Sequence, residues 1–129
     1  MTPELTVLAL AGLLQVVHYG LFGVAANMQL GVDYALGPRD EGRTLRGIPQ
    51  RLQRAMSNHF EGLIMFTLAV VVIELSGANS TLTAACAWAY LAARVVYIPA
   101  YAYGWVPWRS VIWAVGFLST VVMIAVALL

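Results

Sequence analysis

Arg51, Arg54, Asn58 and Glu61 are separated by three, four and three positions. At about 100° per residue they share a helical arc of roughly 80°, which makes one polar stripe of guanidiniums, an amide and a carboxylate. The same arithmetic aligns Arg94, Tyr97 and Tyr101 on one face of a later helix, and Arg109 and Ser110 follow after a short gap. Arginine is permanently charged and presents a planar fork that matches a carboxylate. Two readings of these groups stand side by side. In one they satisfy each other, Glu61 neutralising Arg54 or Arg94 while Arg51 and Arg109 reach toward lipid headgroups. In the other, several arginines set against a single carboxylate in the stripe leave positive charge over for an anionic ligand.

The elements that must carry these residues are apolar. The chain has 129 residues, 61% hydrophobic and 10% charged, with a mean hydropathy of +0.81; soluble domains carry about 25% charged residues. Apolar blocks at approximately 5–28, 55–75, 81–103 and 110–129 each approach the ~20 residues that cross a bilayer. The fold class expected is therefore an all-α integral membrane protein, a four-transmembrane-helix bundle forming a single domain over 1–129. Its helices are expected at approximately 5–28, 49–75, 81–103 and 108–129, with a loop at 29–48. Met1-Thr2-Pro3-Glu4 lacks the basic start of a secretory signal, so the first block reads as a retained helix.

All seven basic residues are arginines, and five of them (Arg39, Arg43, Arg46, Arg51, Arg54) lie in or just after the first loop. By the positive-inside rule loops one and three face the cytoplasm and both termini the opposite side. The loop at 29–48 carries Gly31, Gly37, Pro38, Gly42 and Gly47 as turn signals. The second loop, Ser76 to Ser80, is short and implies an antiparallel hairpin of the second and third spans. Tyr97, Tyr101, Tyr103, Trp105 and Trp108 gather near one end, where an interfacial aromatic belt competes with a functional reading of the tyrosines.

Ionisable groups at membrane depth cost about 2.5–3.5 kcal/mol each on insertion scales, so the stripe is expected to face a bundle interior or a watery cavity. His18, with Gln15 and Tyr19, lies mid-span in the first helix and is expected to bond across a helix interface. His59 falls about 80° off the stripe and is not counted as a ligand. Glu74 is off the stripe and expected at the far interface. Cys86, among alanines, reads as a packing residue. No Cys pair, HExxH or Gly-rich phosphate loop is present, so nothing calls for a metal or a nucleotide, and no nucleic-acid partner is expected.

The run Arg51-Leu-Gln-Arg54-Ala55-Met-Ser-Asn58-His-Phe-Glu61, followed by Phe66, resembles the second-helix signature of the MAPEG family, the membrane-associated proteins of eicosanoid and glutathione metabolism. Ala93-Arg94-Val-Val-Tyr97-Ile-Pro-Ala-Tyr101 and Trp108-Arg109-Ser110-Val111 are similar to its third-helix motif and to the Arg-Ser that opens its fourth. The resemblance spans all four helices and is closest to the bacterial branch, whose members share an Arg-Asp pair like Arg39-Asp40. It implies a homotrimer in a bacterial inner membrane, with glutathione as co-substrate in clefts between subunits open to the cytoplasm. Arg51 and Arg54 would hold the carboxylates of the tripeptide and Glu61 its amino group. Asn58 would complete the helix-two set, and Arg94, Tyr97 and Tyr101 would line the cleft. Arg109, with Ser110 beside it, matches the arginine that holds the sulfur as thiolate.

The implied activity is that of a transferase or peroxidase acting on lipophilic electrophiles that enter from the membrane lipid. The chain departs from the pattern at Asn27-Met28-Gln29-Leu30, where active members bring a further arginine. It also has Tyr97 where some have His and Trp113 where others have Tyr. A non-catalytic subunit or lipid-binding scaffold of a larger membrane complex is the alternative implied, and a proton path through His18 and Glu61 a third.

Overall fold

The structure is a computed structural model that describes residues 1–37 and 44–129. Arg39-Asp40, Arg43 and the turn residues Pro38 and Gly42 lie outside the described residues. The elements are α1 (Pro3–Leu30), α2 (Val32–Leu36), α3 (Ile48–Ser76), α4 (Thr81–Ala102) and α5 (Trp108–Leu128). The long helices begin and end within a few residues of the expected bounds. The short α2 inside the first loop is an addition, too brief for periodicity to reveal. Four helices are long and apolar enough to cross a membrane, and the protein is an all-α, four-span integral membrane bundle.

Local chemistry sets the helix ends. The Thr2 hydroxyl accepts from the Leu5 amide at the start of α1, where Pro3 occupies a first-turn position that needs no N–H. Ser80 and Thr83 form a reciprocal capping box at the start of α4. Helix α3 stops at Gly77, whose φ of 70° puts it in the left-handed region that closes a helix.

The α3–α4 hairpin forms the middle of the bundle: α3 and α4 touch each other and both touch α1 and α5, whereas α1 and α5 make no mutual contact among the described residues. Side chains too small to hold the helices apart, such as Ala69 and Ala87, share the buried core with Val7, Val70, Ile73 and Met123. The Phe66 and Tyr90 rings stack within it, centroids 4.0 Å apart and 2° from parallel. Between helices in lipid such close packing replaces the hydrophobic drive available in water. Leu13, Val16, Val24, Leu68 and Leu118 stay exposed, as an outer surface facing hydrocarbon requires. Cys86 packs against the core cluster, in keeping with a packing role.

The end of the bundle that carries both the N-terminus and the α3–α4 turn is tied by carboxylates. Glu4, only 1% exposed, accepts from the Thr83 hydroxyl at 2.7 Å and from Asn79 Nδ2 at 3.0 Å. Asn79 Nδ2 also donates to Glu74 at 2.9 Å, and the Thr2 hydroxyl donates to Glu74 as well. Glu74 therefore sits at the far end as expected, joined to a network that links α1, α3 and α4. Replacing Asn79 with Ala removes the donor common to both carboxylates. It should cost about 2 kcal/mol in denaturant unfolding of the detergent-solubilised protein, the scale of a hydrogen bond to a charged group. Asn79→Asp, which adds a third carboxylate, should be worse.

A cationic chamber beside an apolar groove

The chamber lies toward the opposite end, where α3 begins and α4 ends. Arg94 of α4 is 4% exposed and lies across α3. Its Nη1 donates to Asn58 Oδ1 at 2.9 Å and its Nη2 to the Asn58 backbone carbonyl at 2.8 Å. The guanidinium stands 5.3 Å from the Tyr97 ring centroid and 5.8 Å from that of Tyr90, a favourable environment for a cation out of water. Gly62, one turn beyond Asn58, makes this approach possible: a Cβ there would come within 3.2 Å of Arg94 Cζ and closer still to Nη2. With Oδ1 of Asn58 committed to Arg94, its Nδ2 is the donor left for a ligand.

Asn58 then lines a cavity of about 250 Å³ with Tyr97, Tyr101, Arg109, Ser110 and Trp113. Arg109, at the first turn of α5, has its Cζ 5.0 Å from the Tyr101 centroid, and the Tyr97 and Tyr101 rings are 5.6 Å apart. No carboxylate pairs with Arg109 among the described residues. A second cavity of about 200 Å³ runs between α3 and α5, shares Asn58 and Trp113 with the first, and adds Glu61 and Arg94 to an apolar wall including Met65, Phe117 and Ile124. A cationic chamber with hydroxyl donors thus adjoins an apolar groove, the pairing that an amphipathic reaction partner needs.

The structure draws Asn58, Glu61, Arg94, Tyr97, Tyr101, Arg109 and Ser110 onto these two adjoining cavities. Arg51 is close by, its Nη1 donating at 3.2 Å to the Ala102 carbonyl at the end of α4, where a cation also meets the negative end of the helix dipole. Arg54 is exposed and lines neither cavity. The reading in which Glu61 neutralises Arg54 or Arg94 is not met among the described residues: Arg94 bonds to Asn58, and neither Glu61 nor Arg54 has a partner there. The aromatic cluster divides, with Tyr97 buried in the site and Tyr103, Trp105 and Trp108 exposed at the bundle end as belt residues.

Sequence reasoning missed Gly62, although a residue without a side chain one turn from Asn58 was the available signal. It also assigned the wrong partner on α1. Gln15, not His18, makes the bond across the helix interface, Oε1 to His59 Nδ1 at 2.6 Å, while the His18 ring packs on His59 with centroids 4.9 Å apart. A further cavity of about 440 Å³ lies between the end of α1, α2 and the start of α3, lined by Asn27, Gln50, Gln53 and apolar neighbours. None of its described lining residues is charged.

Among the described residues Arg54 and Arg109 have no carboxylate partner, and Arg109 gathers with the hydroxyls of Tyr97, Tyr101 and Ser110 at one end of a four-span membrane bundle. The family model of the MAPEG family matches residues 5–129, and the chain belongs to that family, whose business is glutathione and eicosanoid metabolism in membranes. No curated protein and no solved structure matches it.

The contact between Arg94 and Gly62 makes a prediction about stability. Gly62→Val and Arg94→Ala should each lower the unfolding free energy by about 2–4 kcal/mol, as expected for disturbing a buried bonded charge. The double variant should lose little more than either single one, because both break the same contact. Additive losses in denaturant titrations would show that Gly62 is not there for Arg94.

Proposed function

We propose that the protein is a glutathione-dependent membrane transferase or peroxidase acting on lipophilic electrophiles through an arginine-stabilised thiolate. The observation that carries this reading is Arg109: a half-buried guanidinium over Tyr101, next to Ser110, on a cavity with no carboxylate among its described lining residues. A free thiol with a pKa of about 8.5 is only a few per cent ionised at pH 7. A neighbouring cation lowers such a pKa by roughly 1–3 units, enough to make thiolate the main species. Arg109 thereby stabilises the nucleophile while the thiol proton leaves to water, and Ser110 can donate to the same sulfur.

Binding groups for the rest of the tripeptide follow. Arg51 and Arg54 suit its carboxylates, Glu61 its ammonium, and Asn58 Nδ2 and the Tyr97 and Tyr101 hydroxyls its amide groups. Arg94 contributes by holding Asn58 in place rather than by touching the ligand with its committed Nη atoms. In conjugation the sulfur forms a bond to an electrophilic carbon whose leaving group or electron pair departs. In peroxide reduction it attacks the peroxide oxygen, the O–O bond breaks and an alcohol leaves after protonation, and a second glutathione thiol then displaces water from the sulfenic acid to give the disulfide. The electrophile would lie in the α3–α5 groove, reached from the hydrocarbon.

Arg54 is exposed and stands outside the cavities of one chain, which supports a site completed between subunits, with a homotrimer as the assembly. The placement of loops one and three in the cytoplasm of a bacterial inner-membrane protein rests on the arginines around the first loop. A non-catalytic, lipid-binding subunit of a larger complex is the second reading. It is favoured by one observation: Asn27, in the region where a further arginine is expected of active members, lines a cavity with no charged side chain among its described residues.

Calorimetry of glutathione binding to the detergent-solubilised protein tests the first reading. Wild type should bind saturably, and Arg54→Ala should weaken binding by about 10- to 100-fold, the loss of one charge-assisted bond. In Arg109→Ala the ultraviolet absorbance of bound thiolate should disappear at pH 7 and return only as pH rises toward about 8.5, because the cation that lowered the thiol pKa is gone. No binding at millimolar glutathione would leave the arginines to lipid or a partner protein.

A further inference from the structure

We propose that Arg51 is a positioning residue for the thiolate chemistry: from α3 it grips the end of α4 and so holds the α4–α5 turn, with Arg109 just beyond it, against the chamber. A helix ends with carbonyls that its own amides no longer reach. At the end of α4 the amides of Tyr103, Trp105 and Gly104 donate to the carbonyls of Pro99, Ala100 and Tyr101 at 3.0, 2.8 and 3.2 Å. The last carbonyl, that of Ala102, accepts from Arg51 Nη1 at 3.2 Å. Helix α4 has no basic residue in its own last turn, so the cation that meets the negative end of its dipole comes from α3. The guanidinium also lies over Gly104, whose φ is 66°: a Cβ there would stand 3.7 Å from Nη1 and 3.8 Å from Cζ. Arg51 thus meets the turn at two points.

The turn passes that hold on to Arg109. Trp105, whose amide is bonded to α4, accepts through its carbonyl from the Arg109 amide at 2.8 Å, and the Pro107 carbonyl accepts from the Ser110 amide at 3.0 Å. The first turn of α5 is therefore built on the turn that Arg51 grips. Arginines join α3 and α4 in both directions: Arg94 reaches from α4 to Asn58, and Arg51, about 10 Å earlier along α3, reaches to Ala102. The first contact places Asn58 on the chamber, and the second bears on Arg109 and Ser110, which line it from α5. A cation lowers a thiol pKa only at short range, and a misplacement of ~1 Å can cost about 100-fold in rate. The guanidinium has N–H groups beyond the one bonded to Ala102, so this role adds to its part in carboxylate binding. A bond that merely finished α4 would alter stability alone, whereas a hold on Arg109 also sets the pH at which thiolate forms. The chemical consequence rests on the glutathione reading above; the grip on the turn does not.

The test takes two readouts on the full chain in lipid nanodiscs: the ultraviolet absorbance of bound thiolate against pH at saturating glutathione, and amide hydrogen exchange of segment 103–110 without glutathione. Arg51→Ala should raise the thiolate midpoint by about one unit or more, toward the ~8.5 of a free thiol, and speed exchange in 103–110 about tenfold or more. Arg51→Lys, which keeps a cationic donor, should recover part of both. Gly104→Val disturbs the same seat without changing charge and should also raise the midpoint; it carries the test should Arg51→Ala fail to fold. Arg54→Ala should weaken binding yet leave midpoint and exchange near those of wild type. Weaker binding in Arg51→Ala with an unmoved midpoint would make Arg51 a carboxylate ligand only. A midpoint raised in Arg51→Ala but not in Gly104→Val, with exchange unchanged, would reduce its part to distant charge. Either result overturns the proposal. If wild type binds no glutathione, the functional reading fails by itself and exchange in Arg51→Ala decides: faster exchange confined to 103–110 supports the grip, and unchanged exchange overturns it.

Discussion

A guanidinium taken out of water must find acceptors at fixed positions, and much of the arginine end of this bundle is arranged around one such case. Arg94 reaches from α4 to the side chain and backbone of Asn58 on α3, over a glycine that leaves it room. The contact sets the approach of α3 to α4. It also turns the Asn58 amide so that its N–H groups remain for a ligand, and presses Tyr97 into the wall of the chamber. Arg109 and the hydroxyls of Tyr97 and Tyr101, without hydrogen-bond partners among the described residues, sit beside this clamp. The arginine bonded inside the bundle and the arginine that lines the chamber are thereby different residues.

The bundle is asymmetric along its axis in a way that suits this division. One end is closed by Glu4, Glu74, Asn79 and Thr83, in which donors and carboxylates answer one another. The other end holds the excess of cations. Between them Phe66 and Tyr90 stack within a core of small and aliphatic residues. No hydrogen bond or ring contact among the described residues joins His18 to Glu61. His18 packs on His59, and Glu61 is exposed on the surface of α3.

Much of the architecture could be read from the chain because lipid simplifies the problem. Backbone groups without water to bond must be helical, so apolar length marks each span and Gly31, Gly77 and the Ser80–Thr83 box mark where spans stop or start. The stripe of α3 was legible for a similar reason, since residues three and four apart must share a face. Which stripe residues would be spent on each other was not. Arg94 and Arg54 are equal as sequence symbols, yet one is buried and doubly bonded while the other is exposed, with no partner among the described residues. The bond from Gln15 to His59 was similarly hidden: it depends on the rotation of α1 against α3, and His59 is off the stripe that drew attention to α3.

The sequence by itself determined the number of spans, their limits, the clustering of cationic residues at one end and the resemblance that the family match bears out. These follow from periodicity, length and local chemistry, which act within a helix. Tertiary structure alone decided that α3 and α4 form the middle of the bundle, that Gly62 admits Arg94, that Trp113 stands between chamber and groove, and that Gln15 of α1 bonds His59 of α3. Each of these depends on the axial rotation and offset of one helix against another, set by the sum of many weak packing contacts. No spacing along the chain encodes that sum.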